Sequence, residues 1–256
     1  MLTDTQIVQN WETLLQLIES TFPTRKDALL KMYSELEERM VLMPASSMEH
    51  FHNAIPGGYV DHILRVYKCA NALYDTWKQT GINVDGFTLE ELAFAAFHHD
   101  LGKAGFPGTG NEWYIPNESE WHRKNQGKMY NHNPNIPNAT VPDLSLYLLQ
   151  YYNIPVSWNE YLAIKVHDGM YDDANKPYYM ARSVGTKFKN SMPIIMHHAD
   201  HMASLIEYEN WKDTPKASAI STPSVSKTKS SISKTVTPSS DESLKQAFDS
   251  IFNLDL

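Results

Sequence analysis

Residues 59–77 read YVDHILRVYKCANALYDTW, and their spacing decides the fold class. From Ile63 the apolar side chains Val66, Tyr67, Ala70, Leu73, Tyr74 and Trp77 recur every three to four positions, the period of one helix face that needs a core to cover it. The turn Pro56-Gly57-Gly58 starts this helix. Downstream, Thr88 and Glu91 have capping-box spacing and open a second helix through Leu89, Leu92, Ala93, Ala96 and Phe97, expected to stop near Gly102. Ser157 and Glu160 open a third through Leu162, Ile164 and Val166 to His167, with Gly169 as terminator. A fourth begins near Pro193 and is expected to turn Ile195, Ala199, Met202 and Ile206 inward. Alternation of period two is scarce, so the expected fold is all-α.

Two segments depart from this pattern. Residues 103–142 are rich in Asn, Pro and Gly, with only a hint of helix between Trp121 and Tyr130; a stretch that irregular within a compact domain usually overlies a site. Residues 213–240 are Ser, Thr, Lys and Pro with almost no large apolar side chains, too little to offset ordering entropy, and are expected to be a disordered linker. Beyond it, Leu244, Phe248, Ile251 and Phe252 space a short amphipathic helix in 241–256 that would need a partner surface, another protein or the chain's own bundle. The expected organisation is thus a helical metal-binding domain over 1–212, then the linker and the terminal helix.

The 256 residues carry a net charge of −8, although residues 214–240 hold four lysines and no acid. The remainder is more acidic still, which argues against broad nucleic-acid binding and leaves a small phosphorylated substrate in a local basic pocket. No apolar run approaches bilayer-spanning length, so no membrane partner is expected. The N-terminus, with Asp4, lacks the basic and apolar regions of a signal peptide, and the one cysteine, Cys69, lies on an apolar helix face where packing explains it. The chain therefore reads as cytoplasmic.

Each of the four helices delivers a histidine or aspartate where its apolar stripe meets the core: His62, the pair His99-Asp100, His167 and Asp200. Imidazole and carboxylate together suit a borderline or hard divalent ion and leave positions for water. Neighbouring residues on a helix point about 100° apart, so His99 and Asp100 can face one ion only at a helix end.

The motifs YVDHILRV (59–66), AAFHHDLGK (95–103) and HAD (198–200), in that order, resemble the H…HD…D signature of the HD superfamily over roughly residues 55–210. The resemblance implies a helical bundle in which His62, His99, Asp100 and Asp200 chelate a divalent ion (Mn, Co, Mg, Zn or Fe), one being expected and a second left open. It also implies hydrolysis of a phosphate ester, for which a small nucleotide is the expected substrate. Asp100 would also orient the attacking water, and Arg65 and Lys103 match positions near the site, where they could meet phosphate or remain solvated or salt-bridged. From the residues themselves, Arg123, Lys124 and Lys128 could neutralise phosphate or form a solvated lid face, and Trp113, Tyr114 and Trp121 could stack on a base or pack the lid. His98, His197 and His201 should point away from the centre.

Two rivals remain at this stage. An HD-type di-iron oxygenase would need two further histidines between Asp100 and Asp200; His167 stands at one such position, and His122 or His132 would have to be the other, although Val141-Pro142-Asp143 occupies the place before the helix near Leu144. The second rival is a non-catalytic binding protein built on a degenerate HD fold.

Overall fold

The computed structural model describes residues 1–213; the expected linker beyond Asp213 and the expected terminal helix lie outside the described residues. Helices dominate: α1 (Asp4–Thr21), α2 (Lys26–Met40), α3 (Gly58–Gln79), α4 (Leu89–His98), α5 (Glu120–Gln126), α6 (Val141–Tyr151), α7 (Trp158–Lys165), α8 (Lys176–Met180) and α9 (Met192–Asp213). No described helix is long and apolar enough to cross a membrane.

The stripe quoted above is the axis of the bundle. Ile63, Val66, Tyr67 and Ala70 are buried, Leu73, Tyr74 and Trp77 pack at the core's edge, and α3 lies against α1, α4 and α9. Its start uses both glycines: Gly57 is left-handed, and a Cβ on Gly58 would stand 2.1 Å from the Asn53 carbonyl oxygen. Both capping boxes form, Thr88 with Glu91 and Ser157 with Glu160.

Two expectations need correcting. The stop near Gly102 is not one of them: α4 ends at His98 and the chain passes into a 3₁₀ turn, Leu101–Ala104, where glycine is needed because a Cβ on Gly102 would meet the Val141 carbonyl oxygen of α6 at 2.2 Å. The inward face of α9 is Ile195, Met196, Ala199, Ala203 and Glu207, whereas Met202 and Ile206 are exposed, so the helix is rotated from the most apolar choice to bury a carboxylate. The segment 103–142 is also more ordered than its composition suggests. Strands β1 (Tyr114–Pro116) and β2 (Tyr130–His132) pair antiparallel around α5, which Gly127 ends in a left-handed cap. The hairpin is stitched to the loop preceding α3 by Glu49 N–H to Gly127 O at 2.7 Å and Met129 N–H to Ser47 O at 2.9 Å.

Candidate metal centre

Four segments converge on one point inside the bundle. His62 lies early in α3; His99 caps α4, with Asp100 following; His167 stands two residues past α7; Asp200 lies in α9. The turn after α4 is clamped by the buried Ser145 hydroxyl of α6, which accepts the Gly102 N–H at 2.7 Å and lies 2.9 Å from the His99 carbonyl oxygen. The left-handed Gly169 turns the chain beneath His167, whose carbonyl accepts a hydrogen bond from His197 Nδ1 at 2.8 Å.

His62 Nε2 lies 3.2 Å from Asp200 Oδ1 and 3.8 Å from Asp100 Oδ2, and His99 Nε2 lies 3.5 Å from Asp100 Oδ2 and 3.8 Å from Asp200 Oδ1. These atoms form the trio His62, His99 and Asp200, which could hold a metal ion, as could His99, Asp100 and His167 and also His52, His62 and Asp100. The opposite ring nitrogens are all engaged. Nδ1 of His62 faces the Glu207 carboxylate at 3.1 Å, that of His99 the Ala96 carbonyl at 3.0 Å, and that of His167 the Ile164 carbonyl at 2.9 Å. A proton held on each Nδ1 leaves the Nε2 lone pair pointing at the centre, the arrangement typical of metal-ligating histidines. His62 Nε2 and His99 Nε2 are buried without a hydrogen-bond partner, since proximity to the carboxylates is not matched by alignment. Buried polar atoms left this way are costly, and a divalent cation satisfies both imidazoles and both carboxylates at once.

The electrostatics point the same way. Burial alone would raise the Asp200 carboxyl, but the imidazole of His62, 3.2 Å away, and that of His99 hold it well below its usual range. Asp100 is likewise depressed against burial, chiefly by Lys103, whose ammonium bonds its Oδ2. Burial opposes charge on His62, yet Glu207 and Asp200 raise it to about 10, while burial takes His99 down to about 4 and His52 to about 3. His167 resists the same burial because Asp168 and Asp100 face it. Four acids thus surround a point that favours positive charge.

Other expected residues fall elsewhere. His122 and His132 are exposed and belong to none of the trios; the ring of His122 packs on Trp121 and that of His132 on Trp113. Arg65 pairs with Asp61 at 3.0 Å and reaches Glu207 at 3.6 Å, bracing the carboxylate behind His62. Arg123 donates to the Asn117 carbonyl of its own loop, the exposed Lys124 pairs with Glu120, and Lys128 lies where the hairpin bridges to Met48. Trp113 is buried, Trp121 is exposed, and Tyr114 lines a cleft beside Lys103. His98 is a fully bonded core residue, Nδ1 to the Phe94 carbonyl at 2.7 Å and Nε2 to the Tyr33 hydroxyl at 3.2 Å, while His201 is exposed beside Tyr171.

Three residues of the centre escape the sequence reading. His52 sits in an irregular loop, its ring 4.9 Å from that of His62, where no periodicity marks it. Asp168 stands 3.6 Å from His167 Nε2. Glu207 carries a usable signal, being two helical turns beyond Asp200 on the same face of α9.

The fold and site define a mainly helical protein with a buried histidine-aspartate cluster able to hold a metal ion. Among known proteins no family model, no curated protein and no solved structure matches this chain.

Proposed function

We propose that the chain is a metal-dependent phosphohydrolase of the HD type, acting on a small phosphate ester such as a nucleotide. The observation that carries this reading is the pair of partnerless, buried Nε2 atoms of His62 and His99 facing the carboxylates of Asp100 and Asp200. These four side chains would hold the ion, which when bound supplies Lewis acidity toward phosphate and an acidified water.

The chain's own groups do the rest. In the reaction a water oxygen bonds to phosphorus, the bond from phosphorus to the ester oxygen breaks, and one proton of the water ends on the leaving oxygen, giving an alcohol and inorganic phosphate. The Lys103 ammonium, buried beside Asp100, offsets phosphate charge at the edge of the site. His167, with Nε2 3.7 Å from Asp100 Oδ1 and 3.6 Å from Asp168 Oδ1, carries the proton to the leaving oxygen. The trio His99, Asp100 and His167 also supports a second reading, a two-ion centre, in which His167 is a ligand.

The test is metal content by elemental analysis together with phosphate release, followed anaerobically with Mn²⁺ and a panel of nucleotides. One ion per chain and turnover without oxygen are expected, both lost in Asp100→Ala while circular dichroism reports a retained fold. His167→Ala should lower kcat by about 10²–10⁴-fold with metal content unchanged; loss of one metal equivalent would establish the two-ion centre instead. Wild-type activity in Asp100→Ala, or a strict requirement for iron and oxygen, would overturn the hydrolase.

A further inference from the structure

The loop between α2 and α3 brings one more histidine, His52, onto the metal centre, and the residue after it fixes the approach. Asn53 has a left-handed backbone, φ 39°, a conformation that asparagine tolerates better than most residues. Its carbonyl accepts the Ala45 N–H at 3.1 Å, and its side-chain amide donates to Asp61 of α3 at 2.7 Å. Asp61 also pairs with Arg65, which reaches Glu207 behind His62, so one network seats both His52 and His62. The loop presses so closely on α3 that Gly58 has no room for a Cβ beside the Asn53 carbonyl.

This seat sets the His52 ring 4.9 Å from the His62 ring at an interplanar angle of 32°. A His52 ring nitrogen, a His62 ring nitrogen and an Asp100 oxygen all lie within 4.8 Å of one another. His167 has Nε2 between the carboxylates of Asp100 and Asp168, whereas His52 makes no hydrogen bond or ion pair among the described residues. Lone pairs decide which ion it would serve. Glu207 engages Nδ1 of His62, which leaves Nε2 alone to face a cation, and one lone pair serves one ion. The group His52, His62 and Asp100 and the trio His62, His99 and Asp200 share that nitrogen and so describe a single ion.

We propose that His52 is a further ligand of this ion, and that the resulting set of His52, His62, His99, Asp100 and Asp200 selects a transition metal such as Zn²⁺ or Co²⁺ over Mg²⁺. Imidazole suits the transition metals, whereas Mg²⁺ keeps to oxygen ligands and gives up its waters reluctantly. The inference rests on the metal-centre reading and is independent of the reaction catalysed there.

The experiment measures Zn²⁺, Co²⁺ and Mg²⁺ affinity of the full chain by competition with a chelating dye, and the visible and near-ultraviolet absorption of the Co²⁺-loaded protein. His52→Ala should weaken Zn²⁺ and Co²⁺ by at least about tenfold and leave Mg²⁺ nearly unchanged, with circular dichroism reporting the fold. His50→Ala, an exposed change in the same loop, should alter none of these. His52→Cys offers a thiolate at the same place, and a sulfur-to-cobalt charge-transfer band absent from the wild type should appear, which a packing role would not produce. Wild-type Zn²⁺ affinity in His52→Ala, or no new band in His52→Cys, overturns His52 as a ligand while wild-type binding still upholds the four-residue centre. An equal loss for Mg²⁺ and Zn²⁺ overturns the selectivity, and a wild type that binds neither Zn²⁺ nor Co²⁺ overturns the centre itself.

Discussion

His62 shows how one residue can prepare another to bind a metal ion. Glu207 is buried, receives the His62 Nδ1–H, and is itself braced by Arg65 at 3.6 Å. A carboxylate behind an imidazole fixes its tautomer and raises its basicity toward a metal, so Glu207 is a positioning residue. Glu207→Gln preserves shape and removes the charge; metal affinity should fall about 10- to 100-fold in competition with a chelating indicator dye, with the helical circular dichroism signal unchanged. An unaltered affinity would show that Glu207 serves packing alone. The candidate ligands His62, His99, Asp100 and Asp200 are legible in the sequence because three short motifs carry them. Glu207 was hidden because an apolar count favours Met202 and Ile206 as the inward face, and only the histidine across the gap makes a buried acid the better choice.

At the scale of elements, the bundle is tied by a residue with no motif. Arg25, at the start of α2, donates to both oxygens of Glu160 on α7 at 2.9 and 2.8 Å and to Glu90 on α4 at 2.8 Å, and its guanidinium lies 4.1 Å from the centre of the Phe94 ring. Glu160 is buried, and burial already pushes its carboxyl up despite Arg25. Arg25→Ala leaves that buried carboxylate without its cation and should cost about 3–5 kcal/mol in urea unfolding. The double variant Arg25→Met with Glu160→Leu should recover much of the loss, since two apolar groups need no partner. A cost below about 1 kcal/mol for the single substitution would mean that the pair behaves as a surface bridge. No local pattern marks Arg25, because its partners lie 65 and 135 residues away along the chain.

For the whole molecule, the candidate centre joins segments that share no neighbours in sequence: α3, the end of α4, the turn after α7, and α9. An ion that binds this assembled set, and not the unfolded chain, stabilises the fold by about 2.7 kcal/mol at a hundredfold excess over its Kd. For a chain of this size that corresponds to roughly 5–10 °C in Tm. Thermal scans with Mn²⁺ or Zn²⁺, before and after chelation, should show that rise in the wild type and lose it in Asp200→Ala. Equal Tm values with and without metal would mean that the cluster does not hold an ion.

The sequence by itself determined the helices, because amphipathic period and capping boxes act within a few residues; α3, α4 and α7 begin where Gly57-Gly58, Thr88 and Ser157 place them. It also determined which of four motif residues could chelate an ion. Tertiary structure alone decided the rotation of α9, the joining of His52 and Asp168 to the cluster, and the exclusion of His122 and His132 from it. Each of these depends on distances between segments remote in the chain, where the cost of burying a charge is set by whatever the fold brings opposite it.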